Sequence, residues 1–387
     1  MHKKLRLGMV GGGRGAFIGA VHRIAARMDN EYDLVCGVFS SNAETSVLSG
    51  QEIGISASRI YSSYQQLIEK EKAMSAEMRM EVLSIVTPNH LHFEPAKMAM
   101  ENGFHVIMDK PMTLTLEEAK ELEKVAAKTR MLFCLTHTYT GYPMVKEAKQ
   151  LIANGKLGTI RKVYVEYPQG WLSTALENTG NKQAEWRSDP KRNGIGGAMG
   201  DIGTHAFNMA EYISGLKVTQ VCADINIVVP NRKLDDDGNI LLKFNNGASG
   251  VLFATQIAAG EENNIKIRVY GEKGGIEWQQ NDANTLLIKW LDKPAEIRRA
   301  GGNVGYLSSF ALHNCRTPGG HPEGYLEAFA NHYRNFALTL KAKQEGVAAK
   351  PEWLDYPGIE EGVRGMAFIE TAIASGLSAQ KWLELNV

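Results

Sequence analysis

A glycine-rich turn near the start of the chain limits the fold more than any other feature. Residues 5–10 form an apolar run with the length of a buried strand, and residues 18–28 have helical spacing of apolar side chains. Gly11, Gly13 and Ala16 lie between them and match the pattern G-x-G-x-x-G/A. In this context the first glycine permits the tight turn, and the second lets a pyrophosphate approach the backbone at the positive helix end. The motif therefore predicts a dinucleotide-binding turn.

Strand and helix patterns alternate through the first third of the chain, which is typical of a parallel sheet covered on both faces. Beyond about residue 138 the pattern changes, and repeated strands with turn signals over residues 218–290 indicate a mostly antiparallel sheet. We therefore predict an α/β fold in two domains. Residues 1–137 form a Rossmann NAD(P)-binding domain, and residues 138–387 form a substrate-binding and oligomerisation domain of the α+β type.

Composition excludes several classes of protein. The 387 residues include 43 Lys+Arg and 43 Asp+Glu, so the net charge is zero and a broadly basic nucleic-acid surface is not expected. The four cysteines are too far apart in sequence for a Cys-x-x-Cys metal site. No apolar run approaches the ~18 residues of a membrane span, and the basic first residues lack the apolar core of a signal peptide. We expect a cytoplasmic protein with reduced thiols, no metal, and no nucleic-acid or membrane partner.

One acidic run, residues 235–239, has some likeness to a calcium loop. The twelfth position counted from Asp235 is Asn246 rather than the glutamate that would bind calcium through both oxygens. The run therefore predicts a hairpin turn.

The choice between NAD and NADP stays open at the end of the second predicted strand. NAD sites usually place an acidic residue there for the ribose hydroxyls, but this strand ends at Ser40, Ser41 and Asn42. These side chains suit either a ribose hydroxyl or a 2′-phosphate. Arg14, in the glycine turn, has the charge to pair with that phosphate and the planar group to stack on adenine.

Two motifs follow predicted strands at the edge of the sheet where ligands bind. One contains Thr87, Pro88, Asn89 and His92, and the other is Asp109-Lys110-Pro111. The carboxyl ends of strands line the ligand crevice of a doubly wound sheet. We therefore expect the first motif and Lys110 to face the cofactor.

A third motif opens a helix in the predicted second domain. A glycine-rich run at residues 196–200 leads into Asp201 and His205, which are four residues apart and so share one helix face. A carboxylate and an imidazole on one face are suited to binding a hydroxyl and accepting its proton.

These motifs together resemble the Gfo/Idh/MocA family, named for glucose–fructose oxidoreductase and inositol dehydrogenase. The resemblance covers nearly the whole chain, although the family usually has Glu-Lys-Pro where this chain has Asp109-Lys110-Pro111. It implies a Rossmann domain followed by a domain with a large open-faced sheet, whose open face commonly forms dimers or tetramers. It also implies NAD(P)-dependent hydride transfer between nicotinamide and a secondary hydroxyl of a sugar, anhydrosugar or cyclitol.

The resemblance implies catalytic roles for three residues. His205 is the natural proton acceptor, since an imidazole titrates near neutrality. Lys110 stabilises the negative charge that develops on the alcohol oxygen, or carries the proton itself. Asp201 binds a neighbouring hydroxyl. Structural alternatives stay open for each: a surface ion pair for Lys110, a helix cap for Asp201, and a packing role for His205.

Four further residues are candidates for substrate binding. Trp171, Trp186 and Arg187 lie in polar loops before the glycine-rich run, and His321 precedes a C-terminal helix. Aromatic rings suit the C–H surfaces of sugars. The segments around Trp186 and His321 look like a sugar-oxidising branch that includes levoglucosan dehydrogenase.

Two other functions fit the same residues. One is a lyase, hydrolase or epimerase in which a tightly held NAD is oxidised and reduced within each turnover. The other is a nucleotide-sensing regulator without catalysis, which would not need to retain Lys110, Asp201 and His205 together.

Overall fold

The structure is a computed structural model that describes residues 3–387, and it divides into two units. The first unit comprises the chain up to Thr113, Glu117–Thr138 and Phe329–Gly362. The second unit comprises Leu114–Leu116, Tyr139–Ala328 and the chain from Val363 onwards.

The first unit is built on a parallel sheet of five strands: β1 (Leu5–Gly11), β2 (Tyr32–Val38), β3 (Val82–Val86), β4 (His105–Met108) and β5 (Phe133–Leu135). Their order is β2-β1-β3-β4-β5, and every pair is parallel. The connections leave β1 in opposite directions, so the carboxyl ends of β1 and β3 form the switch point at which such sheets bind ligands. The predicted Rossmann architecture is confirmed.

Five helices connect these strands: α1 (Phe17–Met28), α2 (Ala43–Glu52), α3 (Tyr64–Ala73), α4 (Phe93–Glu101) and α5 (Leu116–Thr129). α1 buries Val21, His22, Ala25 and Ala26 along one face, as the helical spacing of the sequence predicts. α3 begins after Ser63, whose side chain accepts a hydrogen bond from Gln66 N.

The second unit contains a sheet of nine strands: β6 (Ile160–Pro168), β7 (Val218–Asn226), β8 (Asp237–Phe244), β9 (Ser249–Thr255), β10 (Lys266–Gly271), β11 (Gly274–Gln279), β12 (Thr285–Trp290), β13 (Glu296–Arg299) and β14 (Leu383–Glu384). The order is β13-β12-β11-β10-β6-β9-β8-β7-β14. Within this nine-stranded sheet β6 and β9 are the one parallel pair of described strands, so the prediction of a mostly antiparallel sheet is confirmed. The predicted hairpin turn at residues 235–239 is only partly right: Asp235 and Asp236 end the connection between the antiparallel strands β7 and β8, but β8 already begins at Asp237.

Five helices lie between these strands or before them: α6 (Pro143–Ala153), α7 (Lys182–Arg187), α8 (Pro190–Asn193), α9 (Thr204–Ser214) and α10 (Ser309–His313). α9 packs on β6, and buried side chains alternate along that strand as its sequence predicts. The other sheet face is partly exposed, with Tyr164 opposite Val251 and Val251 opposite Leu241.

Two long helices precede β14, α11 (Tyr325–Glu345) and α12 (Ile359–Leu377). Most of α11 packs within the first unit. Tyr333 Oη lies 2.9 Å from Ser84 Oγ of β3, and its backbone oxygen accepts a hydrogen bond from Tyr32. The division therefore differs from a single boundary near residue 138, because helical periodicity does not show which sheet a helix covers.

No helix within residues 3–387 is long and apolar enough to cross a membrane. The same residues contain no group of three or more His, Cys, Asp or Glu placed to hold a metal ion.

Candidate active site

The glycine turn after β1 has no room for side chains at three positions. Gly11 has φ +91°, and a Cβ there would lie 2.8 Å from Val86 O. Gly12 has φ +72° and packs against Gly19 of α1. A Cβ on Gly19 would lie 2.2 Å from the Cα of Gly12. A Cβ on Gly13 would lie 2.3 Å from Phe39 O. The turn is therefore fixed tightly between β1, β2 and the start of α1.

The sequence predicts that Gly13 leaves room for a pyrophosphate. In the structure, the missing side chain instead leaves room for the protein's own atoms. Its N–H donates to Phe39 O at 3.1 Å, and the side it would fill faces Phe39 and Ser49. Gly15 is the member of the turn with open space around it among the described residues, and it has φ +76°. Ala16 caps α1 without a side-chain hydrogen bond. The turn thus presents free space and a helix N-terminus without a side-chain cap.

A cleft of about 410 Å³ extends from this turn between α1 and α2. Arg14 lines it and forms an ion pair with Glu52, with Nε 2.9 Å from Glu52 Oε2. The guanidinium is therefore already paired in this structure. Arg23, which sequence analysis missed, also lines the cleft and donates to Gly12 O at 2.6 Å. Arg23 lies on α1 outside the glycine motif, so nothing in the motif indicates that its side chain reaches the turn.

The end of β2 carries no carboxylate, as the sequence shows. Asn42 caps α2, with its Oδ1 accepting the N–H of Thr45 at 2.9 Å. Ser40 Oγ accepts the N–H of Asn42 at 3.1 Å, and Ser41 is exposed. Asn42 therefore has a structural role at the helix start in addition to any role toward a ribose.

His92 does not present its ring to a ligand, which corrects our prediction. The side chain is fully buried, with Nδ1 2.8 Å from Pro111 O and Nε2 2.9 Å from Thr87 O. Burial lowers the pKa of this imidazole. His92 thus joins the loops after β3 and β4. Asn89 is also buried, and it begins the short helical turn that follows Pro88.

The loop after β4 holds Lys110 at the carboxyl edge of the parallel sheet. Asp109 Oδ1 accepts the backbone N–H of Lys110 at 2.9 Å and the hydroxyl of Thr136 at 3.1 Å. Asp109 N–H donates to Ile85 O of β3 at 3.0 Å. The carboxylate before Lys110 therefore fixes the backbone on which that lysine stands, half-buried.

In the second unit, Asp201 and His205 lie on consecutive turns. Asp201 belongs to a π-helical segment, Met199–Gly203, that continues into α9. Asp235 caps this segment: its carboxylate accepts the N–H groups of Gly197 and Met199, at 2.5 and 2.7 Å. Burial raises the pKa of the Asp235 carboxyl to about 6. The segment that carries Asp201 is therefore held by a cap that sequence analysis did not assign.

Asp201 contacts Arg187, one of the residues predicted to bind substrate, and Gln256, which was not predicted. Arg187 Nε lies 3.4 Å from Asp201 Oδ2, and Gln256 Nε2 donates to the same oxygen at 2.8 Å. The Arg187 guanidinium stacks 4.2 Å from the Trp186 ring centre and 5.8 Å from that of Trp171. The structure thus brings Trp171, Trp186 and Arg187 together beside Asp201, with Arg187 against the indole rings.

His205 faces a row of polar side chains that the sequence did not reveal. Its ring lies edge-on to Tyr139, with 4.9 Å between ring centres. Tyr139 and Tyr167 share a hydrogen bond between their hydroxyls, and Tyr167 Oη donates to Asn263 at 2.8 Å. Gln169 links this row to Trp171: its Oε1 accepts the Trp171 indole N–H at 3.0 Å. Hydroxyls and amides of this kind are suited to a polyhydroxylated ligand.

His321 lies apart from this group in its contacts. It is exposed in a turn in which its N–H donates to Pro318 O and its carbonyl accepts the Thr317 hydroxyl. In the same motif, the Glu323 carboxylate accepts the N–H groups of Arg316 and Thr317.

Both units match known protein families. The model of an oxidoreductase family with an NAD-binding Rossmann fold matches residues 5–137, and that of the GFO/IDH/MocA C-terminal domain matches residues 145–277. The chain belongs to the Gfo/Idh/MocA family of oxidoreductases. The predicted family is confirmed, and the first unit of this Gfo/Idh/MocA protein is an NAD-binding Rossmann fold.

Several relatives match nearly the whole of this family member. An uncharacterised oxidoreductase of Bacillus subtilis is 33% identical over 387 residues, which is 99% of this chain and 98% of the relative. The levoglucosan dehydrogenase of Pseudarthrobacter phenanthrenivorans is 26% identical over 99% of this chain and 98% of its own.

Two crystal structures also resemble it closely. An oxidoreductase from Sinorhizobium meliloti has a TM-score of 0.88 and 42% identity, covering 98% of this chain and 99% of that one. An inositol dehydrogenase homologue from Azotobacter vinelandii, complexed with NADH and myo-inositol, has a TM-score of 0.90 and 31% identity. It covers 99% of this chain and 98% of its own.

The residues of the first unit fit a dinucleotide. Gly15 leaves open space beside the start of α1, and the helix N-terminus has no side-chain cap or acidic residue in its first turn. Such an end favours the negative charge of a pyrophosphate. Gly11, Gly13 and Ala16 would hold the turn in place, with Arg14 inside the turn and Ser40 just after β2.

Proposed function

We propose that this Gfo/Idh/MocA protein oxidises a secondary hydroxyl of a sugar, anhydrosugar or cyclitol with NAD or NADP. The observation that carries the proposal is the placement of Asp201 beside Gln256 and Arg187, four residues before a His205 that faces Tyr139. These groups bind hydroxyls and accept a proton. The relatives support the same substrate class, since they include a levoglucosan dehydrogenase and a homologue that binds myo-inositol.

The chain's own residues have separate roles in this reaction. Bound nicotinamide supplies the acceptor for the hydride. A ring nitrogen of His205 takes the proton of the reacting hydroxyl, since a neutral imidazole is a base at physiological pH. Asp201, held in place by Gln256 and Arg187, accepts a hydrogen bond from a neighbouring hydroxyl. Lys110 Nζ stabilises the negative charge that develops on the alcohol oxygen.

The experiment that tests this function is a substrate panel. Myo-inositol, levoglucosan and glucose are each incubated with the protein and with NAD or NADP, and reduced nicotinamide is followed by absorbance. We expect cofactor reduction with at least one compound, and its loss in Asp201→Asn but not in Asp224→Asn, an exposed aspartate of β7. Conversion of a sugar to an isomer or elimination product without net reduction would instead show a non-redox enzyme.

We also propose that the protein is a homodimer or homotetramer that associates through the open face of the second sheet. Tyr164, Val251 and Leu241 lie side by side on neighbouring strands of that face, and Leu241 is 44% exposed. A contiguous exposed apolar patch is typical of an interaction surface. Val251→Lys should reduce the mass measured by sedimentation equilibrium. An unchanged mass would place the interface elsewhere.

We further propose that the protein works in the cytoplasm. The four cysteines all lie within the described residues and form no disulfide bond there, and Cys36 and Cys134 are buried. Reduced thiols are the ordinary state in that compartment. Activity that fractionates with membranes or secreted proteins would contradict this location.

A further inference from the structure

A buried arginine, Arg232, uses every N–H of its side chain in the second unit. Nε and Nη2 donate to the two carboxylate oxygens of Glu177, each at 3.0 Å. Nη1 donates to Asp236 Oδ2 at 3.1 Å and to Leu172 O at 2.9 Å, and Nη2 also donates to Thr174 O at 3.0 Å. An arginine has five such donors, and all five are used here.

These bonds join two segments that are distant in sequence. Leu172, Thr174 and Glu177 belong to the loop that begins at Trp171, which we call the Trp171 loop (residues 171–179). Its only regular element among the described residues is a short turn, Leu176–Thr179. Asp236 lies immediately before β8, and its carboxylate also accepts the N–H groups of Val228 and Val229. The loop is thus attached through Arg232 to a fixed point at the sheet edge.

The same point of the chain fixes Asp201. Asp235, next to Asp236, caps the π-helical segment that carries Asp201. Gln256 connects Asp236 to the Trp171 loop. Its backbone N–H donates to Asp236 O at 2.9 Å, and its carbonyl accepts the N–H of Leu172 at 3.1 Å. Its side chain donates to Asp201. One pair of adjacent aspartates therefore holds both the Trp171 loop and the helix of Asp201.

We propose that Arg232 is a positioning residue for substrate binding, which sets the placement of the Trp171 loop relative to Asp201 through Glu177 and Asp236. The inference rests on the proposed function, since it assigns Trp171 and Asp201 to the substrate. An apolar side chain could fill the same volume without the cost of burying charges. The planar guanidinium of Arg232 instead fixes the orientation of Glu177 relative to itself, because two parallel hydrogen bonds to one carboxylate permit only one arrangement.

The first test is a comparison of two isosteric variants. Glu177→Gln removes the paired carboxylate from Arg232 but leaves the arginine and Asp236 in place. Glu211→Gln is the matched control, since Glu211 forms an equally bidentate ion pair with Arg364, with Oε2 2.7 Å from Arg364 Nε, outside the Trp171 loop. KM and kcat are measured with the panel compound that the wild type oxidises, and NAD affinity by fluorescence titration.

We expect KM to rise about tenfold in Glu177→Gln, with kcat changed by less than about threefold and NAD affinity unchanged. Loss of binding that is equal in the ground and transition states raises KM alone. Glu211→Gln should keep the wild-type KM. A wild-type KM in Glu177→Gln, or an equal rise in both variants, overturns the proposal.

Hydrogen exchange provides a second measurement that needs no substrate. Peptides covering residues 171–179 should exchange faster in Glu177→Gln than in the wild type or Glu211→Gln, because the loop loses its attachment. Unchanged exchange there overturns the positioning role. If the wild type oxidises no compound of the panel, the proposed function fails, while the exchange comparison still decides whether Arg232 places the loop.

Discussion

Two of the side chains assigned to the reaction, those of Asp201 and His205, contact residues distant in sequence. Gln256 holds Asp201 from the end of β9, and Tyr139 lies against the ring of His205. The backbone of Lys110 is held by Asp109, whose carboxylate also binds Thr136. Precise orientation of this kind contributes to catalysis because the geometry is already present before substrate binds.

Replacing Lys110 with alanine should separate turnover from cofactor binding. Loss of a donor that stabilises developing negative charge typically costs ~100-fold or more in rate. We expect Lys110→Ala to bind NAD like the wild type and to lose turnover by about that factor. Lys97→Ala, which removes a half-exposed lysine of α4 paired with Glu121, is the control. Wild-type turnover in a folded Lys110→Ala protein would exclude Lys110 from the chemistry.

The proton acceptor is identified by the pH dependence of kcat/KM for alcohol oxidation. If His205 accepts the proton, only its neutral form is active, so the rate should rise with pH as the imidazole loses its proton. His205→Asn should abolish this rise, since an amide keeps a hydrogen bond but does not accept a proton. A rise that persists in His205→Asn would assign the base to Lys110.

The motif residues could be predicted because they lie close together in sequence. The residues that contact them lie far away in sequence and could not be predicted. Asp201 and His205 are four apart on a helix, a relation that local geometry fixes. Gln256 reaches Asp201 only through the register of β8 and β9, and nothing near Gln256 in sequence indicates that contact. The role of His92 also depended on tertiary structure, since its ring bonds to loops that come together only in the folded sheet.

At the scale of elements, the strand–turn–helix unit at the chain start depends on packing of its glycines. A Cβ on Gly13 would meet Phe39 O at 2.3 Å, so Gly13→Ala must displace backbone. We expect NAD affinity to fall at least tenfold in this variant. Gly54→Ala is the control, because Gly54 has φ +83° but open space around it. Alanine at that φ should cost only roughly 1–2 kcal/mol of stability. Equal NAD affinity in both variants would show that the turn does not hold the cofactor.

The starts and ends of elements were predicted less well than their existence. The acidic run at residues 235–239 looked like a turn because Asp and Gly favour turns. In the structure Asp235 caps the π-helical segment and Asp236 accepts three hydrogen bonds, so both carboxylates are used outside their own segment. Long-range capping leaves no local signature, and sequence analysis therefore missed it.

At the scale of the whole molecule, a half-buried histidine of the first unit, His105, makes stability depend on pH. Burial lowers the pKa of His105 to about 4, and His105 Nδ1 accepts the N–H of Leu132 at 2.8 Å, which requires an unprotonated nitrogen. Its unfolded pKa is ~6.5. The stability it contributes is complete above that value and is lost as pH falls toward about 4.

The melting temperature should therefore fall steadily between pH 6.5 and 4.5, and His105→Gln should reduce that fall. The amide oxygen of glutamine accepts the same hydrogen bond at any pH. The expected difference between wild type and variant is roughly 2 kcal/mol in the free energy of unfolding over this range. Identical pH dependence in both proteins would show that His105 is not titrated on unfolding.

The two sheets could be predicted from the sequence, but the assignment of the last helices to them could not. Alternation of strand and helix distinguishes a parallel sheet from an antiparallel one. The residues of α11 are helical by their spacing, yet Tyr333 packs on Ser84 and Tyr32 of the first unit. Such packing depends on surfaces formed by the rest of the chain.

Transfer of a labelled hydrogen tests the central claim most directly. Myo-inositol, or the panel compound that reacts fastest, is prepared with deuterium on the carbon bearing the reacting hydroxyl and incubated with the protein and NAD. Hydride transfer predicts that the deuterium appears on C4 of the reduced nicotinamide, as detected by mass spectrometry. Product formation with unlabelled or unreduced cofactor would contradict a dehydrogenase that releases reduced NAD.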